Sequence, residues 1–296
     1  MTAMAGDFPS KAVTIIVPYS AGGGTDNFVR AFEQPLEKAM GVDVVVRNIA
    51  GGGGAIGAMK ALAARPDGYT VTIPNNAFYT LQGMGNVSFK YTDFDYIARV
   101  ATEPYVLTVA NKPEWSTLEG FIDNAKKAPV RIGFSGVGSS THIMTIAIMQ
   151  ALGIDAQMVP YGGGSQVLAA ALGGHIDGLV LNPSDVASAV EGNKLVSIGS
   201  TGKTSLLPDV PLFVDHGIKL DAIQWRGIAA SAGLDADVKA KWVEAIKVAV
   251  EDPAFQKAVG NLGADVSPLY GQELDQFVKS GAELLIPLTQ EVAKNK

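Results

Sequence analysis

Val13-Thr14-Ile15-Ile16-Val17-Pro18-Tyr19-Ser20-Ala21-Gly22-Gly23-Gly24-Thr25-Asp26 decides how this chain is read: a β-type run, then a glycine turn that opens a helix-like run. The same unit follows at once, with Val42-Asp43-Val44-Val45-Val46 leading into Arg47-Asn48-Ile49-Ala50-Gly51-Gly52-Gly53-Gly54. Glycine lets backbone come close to a ligand, and a helix N-terminus offers unpaired N–H groups with partial positive charge. Two such turns side by side make an anion site without any basic side chain. A β-branched residue at Gly22 or Gly53 is therefore expected to abolish binding.

Working outward, the strand signal at 13–19 leads to a helix over about 25–40, with Phe28, Ala31, Phe32 and Leu36 on its apolar side. Asp26 and Arg30 stand four apart on it and can pair. A strand over 42–46 precedes a helix at 54–64, which Pro66-Asp67-Gly68 breaks, and a strand at 69–74 follows. Short apolar strands alternating with helices predict parallel βαβ units. After a β-rich stretch at 96–110, residues 117–127 read as a helix capped by Ser116 or Thr117. A strand at 130–134 runs into a third small-residue turn, Ser135-Gly136-Val137-Gly138-Ser139-Ser140-Thr141-His142, before a helix at 141–152. Met158-Val159-Pro160-Tyr161 then meets a fourth turn, Gly162-Gly163-Gly164-Ser165. Four such units, split between two halves, predict two similar α/β lobes whose strand ends can grip a ligand from both sides. Helical spacing at Val238–Val250 and Glu273–Val292 makes the C-terminal region mostly helical.

Composition bounds the function. A chain of 296 residues, 47% hydrophobic and 18% charged, suits two compact domains and not disorder. A net charge of −6 disfavours nucleic acid and gives an anionic ligand no long-range attraction, so local dipoles must hold it. Without cysteine there is no thiolate nucleophile and no Cys-based zinc site, and His142, His175 and His216 lack metal-ligand spacing. No apolar run reaches the ~18 residues of a membrane helix. The start, Met1 to Asp7, is short and polar and shows no signal peptide, as expected of a mature secreted chain that has lost one or of a cytosolic N-terminus.

Several motifs have a functional and a structural reading. Gly52-Gly53-Gly54-Ala55-Ile56-Gly57 spells the dinucleotide fingerprint, but the acid expected after the next strand is missing, since that strand ends at Pro74-Asn75-Asn76. None of these four glycine turns runs into Gly-Lys-Ser/Thr, so none of them is a P-loop. Gly138-Ser139-Ser140-Thr141-His142 lacks the final glycine of a nucleophile elbow. Either Ser139 or Ser140 caps a helix and His142 packs nearby, or His142 serves one of them as a base. Asp26 reads equally as a helix-end stabiliser or a ligand contact. Asn182 and Asp185, beyond the strand Gly178-Leu179-Val180-Leu181, read as a Pro183-Ser184 turn or as cleft-facing groups. Trp225 reads as a residue buried at a hinge or as one stacked on the ligand.

The order and spacing of these turns resemble the periplasmic substrate-binding proteins of tripartite tricarboxylate transporters, the Bug or TctC-like family. Pro18 to Asp26 with Arg30 is similar to the family's first loop, and Asn48 with Gly51, Gly53, Gly54 and Gly57 to its second. Arg65-Pro66-Asp67-Gly68-Tyr69-Thr70 matches a recurrent family segment. So do Ser135-Gly136-x-Gly138-Ser139-x-x-His142, Val159-Pro160-Tyr161-x-Gly163-Gly164, Leu172-Gly173-Gly174-His175-Ile176-Asp177 and Leu207-Pro208-Asp209-Val210-Pro211. Each is weak alone; seven in order are specific.

The resemblance implies a two-lobed α/β Venus flytrap: residues 1–104 with 228–296 as one lobe, and 105–227 as the other. It implies a non-enzymatic, monomeric periplasmic receptor without cofactor or metal. Such a receptor captures a small mono-, di- or tricarboxylate and delivers it to membrane transporter subunits. By position, Tyr19, Ser20, Ala21, Gly22, Gly23, Asp26, Gly51, Gly52 and Gly53 would anchor the carboxylate. Ser135, Gly136, Ser139, Ser140, Thr141 and His142 would close over it, with Tyr161, Asn182 and Asp185. The chain departs from the family pattern at Arg47, where Glu is usual, at Ala50, where Pro is usual, and at Ala230-Ser231-Ala232-Gly233 in place of a Pro-rich loop. The stretch 181–194 is least family-like and should set specificity at the distal end. The alternative is an α/β enzyme, a serine hydrolase or an NAD-dependent one.

Overall fold

The computed structural model describes residues 8–220 and 223–294 and shows two sheets, each with helices on both faces. Met1 to Asp7 lie outside the described residues. β1 (Val13–Val17) runs into α1 (Gly24–Met40), β2 (Val44–Asn48) into α2 (Ala55–Leu62), and β3 (Thr70–Thr72) into α3 (Ala77–Gly83). After β4 (Phe94–Glu103) the chain crosses at Pro104-Tyr105 to the second sheet. That half contains β5 (Val106–Ala110), α4 (Leu118–Ala125), β6 (Val130–Phe134), α5 (Ser140–Ala151), β7 (Ala156–Pro160), α6 (Gly164–Leu172), β8 (Gly178–Leu181), α7 (Pro183–Glu191) and β9 (Leu195–Ser200). The chain returns through β10 (Gln224–Ser231), then α8 (Ala236–Val250), α9 (Pro253–Asn261), β11 (Asp265–Leu269) and α10 (Gly271–Lys294).

The strand orders are β11-β4-β10-β3-β1-β2 and β7-β6-β8-β5-β9. The βαβ units read from the sequence are parallel pairs: β1 lies between β2 and β3, and β6 between β7 and β8. β4 and β10 run antiparallel, with Gln224 opposite Glu103. Residues 224–227, placed in the second lobe by the sequence division, therefore pair within the first sheet.

Period-two burial builds the cores. In β5, Leu107 and Val109, with Tyr105 just before the strand, point into one cluster with α4 and α5, while Val106 joins α6 and α7 on the opposite face. In the first lobe Val13, Ile15 and Val17 meet α1, α8 and α9. The other face packs against α2, α3 and α10, where Trp225 is buried beside Tyr79, Tyr96 and Phe277.

α1 shows what fixes a cleft helix. Phe28 and Phe32 rest on Phe255 of α9, with ring centroids 5.9 and 4.6 Å apart. Fully burying such a side chain is worth about 1.5–3 kcal/mol, so this apolar face secures the helix. Its N-terminus has no side-chain cap and is free to serve another group. Gly41, at φ +71°, ends the helix by donating its N–H to the Glu37 carbonyl at 2.8 Å.

Candidate functional site

All four glycine turns lie at the carboxyl ends of their strands, and they meet between the sheets. A Cβ on Gly53 would stand 2.8 Å from the Val137 carbonyl oxygen and 3.0 Å from the Ser139 nitrogen. Thr80 Oγ1 donates to the Gly138 carbonyl at 2.6 Å, and Gln224 Nε2 to Ser140 Oγ at 2.9 Å. These contacts close the cleft.

The closed cleft encloses a polar cavity of about 40 Å³, room for no more than a few waters. From the first lobe it is lined by Tyr19, Ser20, Gly23, Gly24, Thr25 and Asn75. The second contributes Ser135, Ser140, Thr141, Gly164, Leu181, Asn182 and Asp185, and β10 adds Gln224 and Arg226. A wider groove of about 1020 Å³ runs between Phe8, Met40 and α8. It is an open trough far from the strand ends, and none of the glycine turns borders it.

Of the residues expected at the ligand, Tyr19, Ser20, Gly23, Ser135, Ser140, Thr141, Asn182 and Asp185 reach the cavity. The others do not, for identifiable reasons. Ala21 and Gly22 are outside it, both exposed on the loop. Asp26 is turned inward to tie the first loop together: its carboxylate accepts from Gly22 N at 2.8 Å, Arg30 Nε at 3.0 Å and Asn48 Nδ2 at 2.9 Å. Burial pushes the Asp26 pKa up, but Arg30, the Gly22 N–H and Asn48 together hold it below the usual carboxylate range. Gly51 and Gly52 belong to the turn before α2, and Gly53 with Gly136 forms the cross-cleft contact at the rim. Ser139 caps α5 by accepting from His142 N at 3.1 Å. His142 Nδ1 accepts from Gly138 N at 3.2 Å, and its ring stacks on Phe134 at 4.3 Å. That Nδ1 thus faces a backbone amide and not a serine hydroxyl. Tyr161 packs in the apolar cluster beneath α6, and Arg47 lies outside the cavity on β2.

The cavity wall is mostly hydroxyl and amide. Asn75 Oδ1 accepts from Ala77 N at 2.8 Å, which turns its amide to donate to the Tyr19 hydroxyl at 3.0 Å. Burial raises the Tyr19 pKa to about 12, so it remains a neutral phenol. Ser135, Ser139 and Thr141 hydroxyls form a chain at the start of α5. Asn182 donates to the Pro104 carbonyl at 2.8 Å, fixing the second lobe to the crossing strand.

Two charged groups, Arg226 and Asp185, complete the wall, and Glu103 lies buried behind Arg226. Arg226 is buried; its Nη1 is in ion contact with Glu103 Oε1, and its Nε lies 3.4 Å from Thr25 Oγ1. Glu103 also accepts from Ser184 Oγ at 3.1 Å. Burial pushes the Glu103 pKa up to about 7, with Arg226 opposing and Asp185 reinforcing the rise. Asp185 reaches across the cleft to accept from Gly24 N at 3.0 Å. Sequence reasoning missed Gly24, Thr25, Asn75, Gly164, Leu181, Gln224, Arg226 and Glu103. A signal existed for one pair: an arginine inside the apolar strand 224–231 and a glutamate ending the strand 94–103 each demand a buried partner.

Comparison with known proteins agrees with this architecture. The profile described as "Tripartite tricarboxylate transporter family receptor" matches residues 28–293. An Agrobacterium vitis relative, the UPF0065 protein in the TAR-I ttuE-ttuC' intergenic region, is 28% identical over 299 residues, covering 97% of this chain and 86% of its own. The periplasmic binding protein BugD superposes with a TM-score of 0.91 at 26% identity, over 96% of this chain and 98% of that one. MatC from Rhodopseudomonas palustris, solved with bound malate, shares the fold at a TM-score of 0.88 and 22% identity, over 95% and 100% of the two chains. Two lobes, glycine turns facing one cleft and a profile match over most of its length place the chain in one group: it belongs to the tripartite tricarboxylate transporter family receptors.

Proposed function

We propose that the protein is a periplasmic receptor that captures a small organic carboxylate between its lobes and delivers it to the membrane subunits of a tripartite transporter. The observation that carries this reading is the convergence of strand-end turns from both sheets on one polar cavity edged by a buried arginine. Backbone N–H groups at helix starts and the Arg226 guanidinium form charge-assisted bonds to a carboxylate, about twice as strong as neutral ones. MatC, which has this fold, binds malate. Residues of both lobes enclose the cavity, so the ligand enters with the lobes apart and is enclosed as they close. Closure then sets surfaces of both lobes side by side, a form the membrane subunits can tell from the open one.

Thermal-shift and calorimetric titration with C3–C8 carboxylates tests the reading. Stabilisation by at least one of them is expected. Stabilisation by a nucleotide or a sugar, with none by any carboxylate, would refute it.

A further inference from the structure

One carboxylate of the cleft lacks a counter-charge. Arg226 is in ion contact with Glu103, whereas Asp185 makes no ion pair among the described residues. Its Oδ1 accepts from Gly24 N at 3.0 Å, and its carboxylate also takes a backbone hydrogen bond from Asn182, but no cation is paired with it among the described residues. Protein surrounds the side chain, and the surface it retains borders the cavity. It also lies close to the start of α6, where a Cβ on Gly164 would stand 2.7 Å from Oδ1. Asp185 thus occupies the meeting point of the α1 and α6 N-termini, a place suited to an anion, and it fills that place with the protein's own.

Two carboxylates, Asp185 on the wall and Glu103 behind it, thus stand against one guanidinium. Burial raises the pKa of both acids, and the Arg226 charge works against the rise in each case. A buried carboxylate without a counter-ion is costly unless a proton or another cation joins it. A dicarboxylate ionised at both ends brings only acceptors and negative charge to such a wall.

We propose that the ligand carries a cationic nitrogen beside its carboxylate, and that Asp185 is the residue that reads that nitrogen. The substrate class is then an amino-bearing carboxylate, such as an amino acid, and not a plain di- or tricarboxylate. The carboxylate end meets Arg226 Nη2, which has no hydrogen-bond partner among the described residues, together with the Ser135, Ser140 and Thr141 hydroxyls. The ammonium meets the Asp185 carboxylate and takes the place of the proton. The inference rests on the carboxylate-receptor reading above and narrows it.

Matched pairs separate the two. Ligand-stripped protein is titrated calorimetrically at pH 7.5 with succinate against aspartate, glutarate against glutamate, and butyrate against 4-aminobutyrate. The amino-bearing member of at least one pair is expected to bind at least about tenfold more tightly, the scale of a close charge pair. Asp185→Asn keeps an acceptor for Gly24 and should lose that preference. If the plain acid binds as tightly or more tightly wherever a pair is bound, or if Asp185→Asn keeps the preference, this inference fails while the carboxylate reading stands. If no acid of either kind binds, the carboxylate reading fails with it. The wild-type comparison decides the matter even if the variant does not fold.

Discussion

Gly53→Ala separates backbone strain from lobe closure. Gly53 has φ +67°, where an L-residue costs about 1–2 kcal/mol. Gly52, its neighbour at φ +58°, carries the same backbone cost. The two differ in what a methyl group meets. At Gly52 it meets only the Ala55 Cβ, at 3.2 Å. At Gly53 it meets backbone of the opposite lobe, the Val137 oxygen at 2.8 Å and the Ser139 nitrogen at 3.0 Å, neither of which can rotate aside. The opposing turn must retreat by about 0.5 Å, which forfeits a quarter or more of each van der Waals contact along that seam. The retreat also stretches the Thr80–Gly138 bond in the same turn, a bond worth about 0.5–1.5 kcal/mol. Together the loss is about 1.5–2 kcal/mol, and it falls only on the closed form.

Both variants should therefore melt a few degrees below wild type without ligand. Only Gly53→Ala should bind its best carboxylate about ten- to thirtyfold more weakly in calorimetry. Wild-type affinity in Gly53→Ala, or an equal loss in Gly52→Ala, would refute the view that this closed approach of the lobes is the ligand-bound one. Gly22, at φ +78° with nothing within 4 Å of an added methyl group, should behave like Gly52.

Three further outcomes follow from the charged wall. The folded pKa of Glu103 is raised from the usual 4.5 to about 7, so its contribution to stability is fully present below pH 4.5 and is lost as pH rises through 7, an effect of roughly 3 kcal/mol at most; Glu103→Gln should flatten the melting temperature between pH 5 and 7.5, and an unchanged slope would contradict the assignment. Arg226→Met leaves Glu103 buried without its cation, and urea unfolding should show a loss of about 3–5 kcal/mol; a loss under about 1 kcal/mol would mean that Glu103 is already neutral. Asp185→Asn removes the uncompensated charge from the closed cleft, so small-angle scattering without ligand should show a more compact population than wild type; identical scattering curves would argue against a charge barrier to closure.

The fold was legible because it is written in local, periodic terms. Alternating apolar residues in 13–17 and 130–134, each followed by small residues and a helical run, require parallel units wherever they occur. α9 was missed although Asp252-Pro253 is a good start signal, and Asp252 does accept from the Ala254 and Phe255 amides. α3 has only seven residues and little pattern to read. The site was half legible. Glycine turns announce where backbone can approach a ligand, but they do not say which turn lines the cavity and which forms the rim. Gly23 and Gly53 look alike in sequence; they part because Gly53 opposes Val137 across the cleft, a relation between residues 84 positions apart in sequence. Arg226 and Glu103 are farther apart still, and their meeting with Asp185 depends on the chain crossing twice between sheets.

Those crossings explain why the charges sit where they do. Glu103 ends β4 and Arg226 lies near the start of β10, the two strands through which the chain leaves and re-enters the first sheet. Both belong to the first sheet, so their contact does not draw on the second lobe. Asp185 belongs to α7 of the other lobe, and its bond to Gly24 exists only on closure. Opening the cleft returns the Asp185 carboxylate and the α1 N-terminus to water, so each is solvated. Closing without a ligand buries the carboxylate with only backbone N–H groups as hydrogen-bond partners, and these do not offset the desolvation of an ion, which keeps its pKa raised. Closing around a cation removes that penalty. The same residue that selects the ligand's nitrogen thus biases the empty receptor toward the open form, so that a closed receptor reports a filled one.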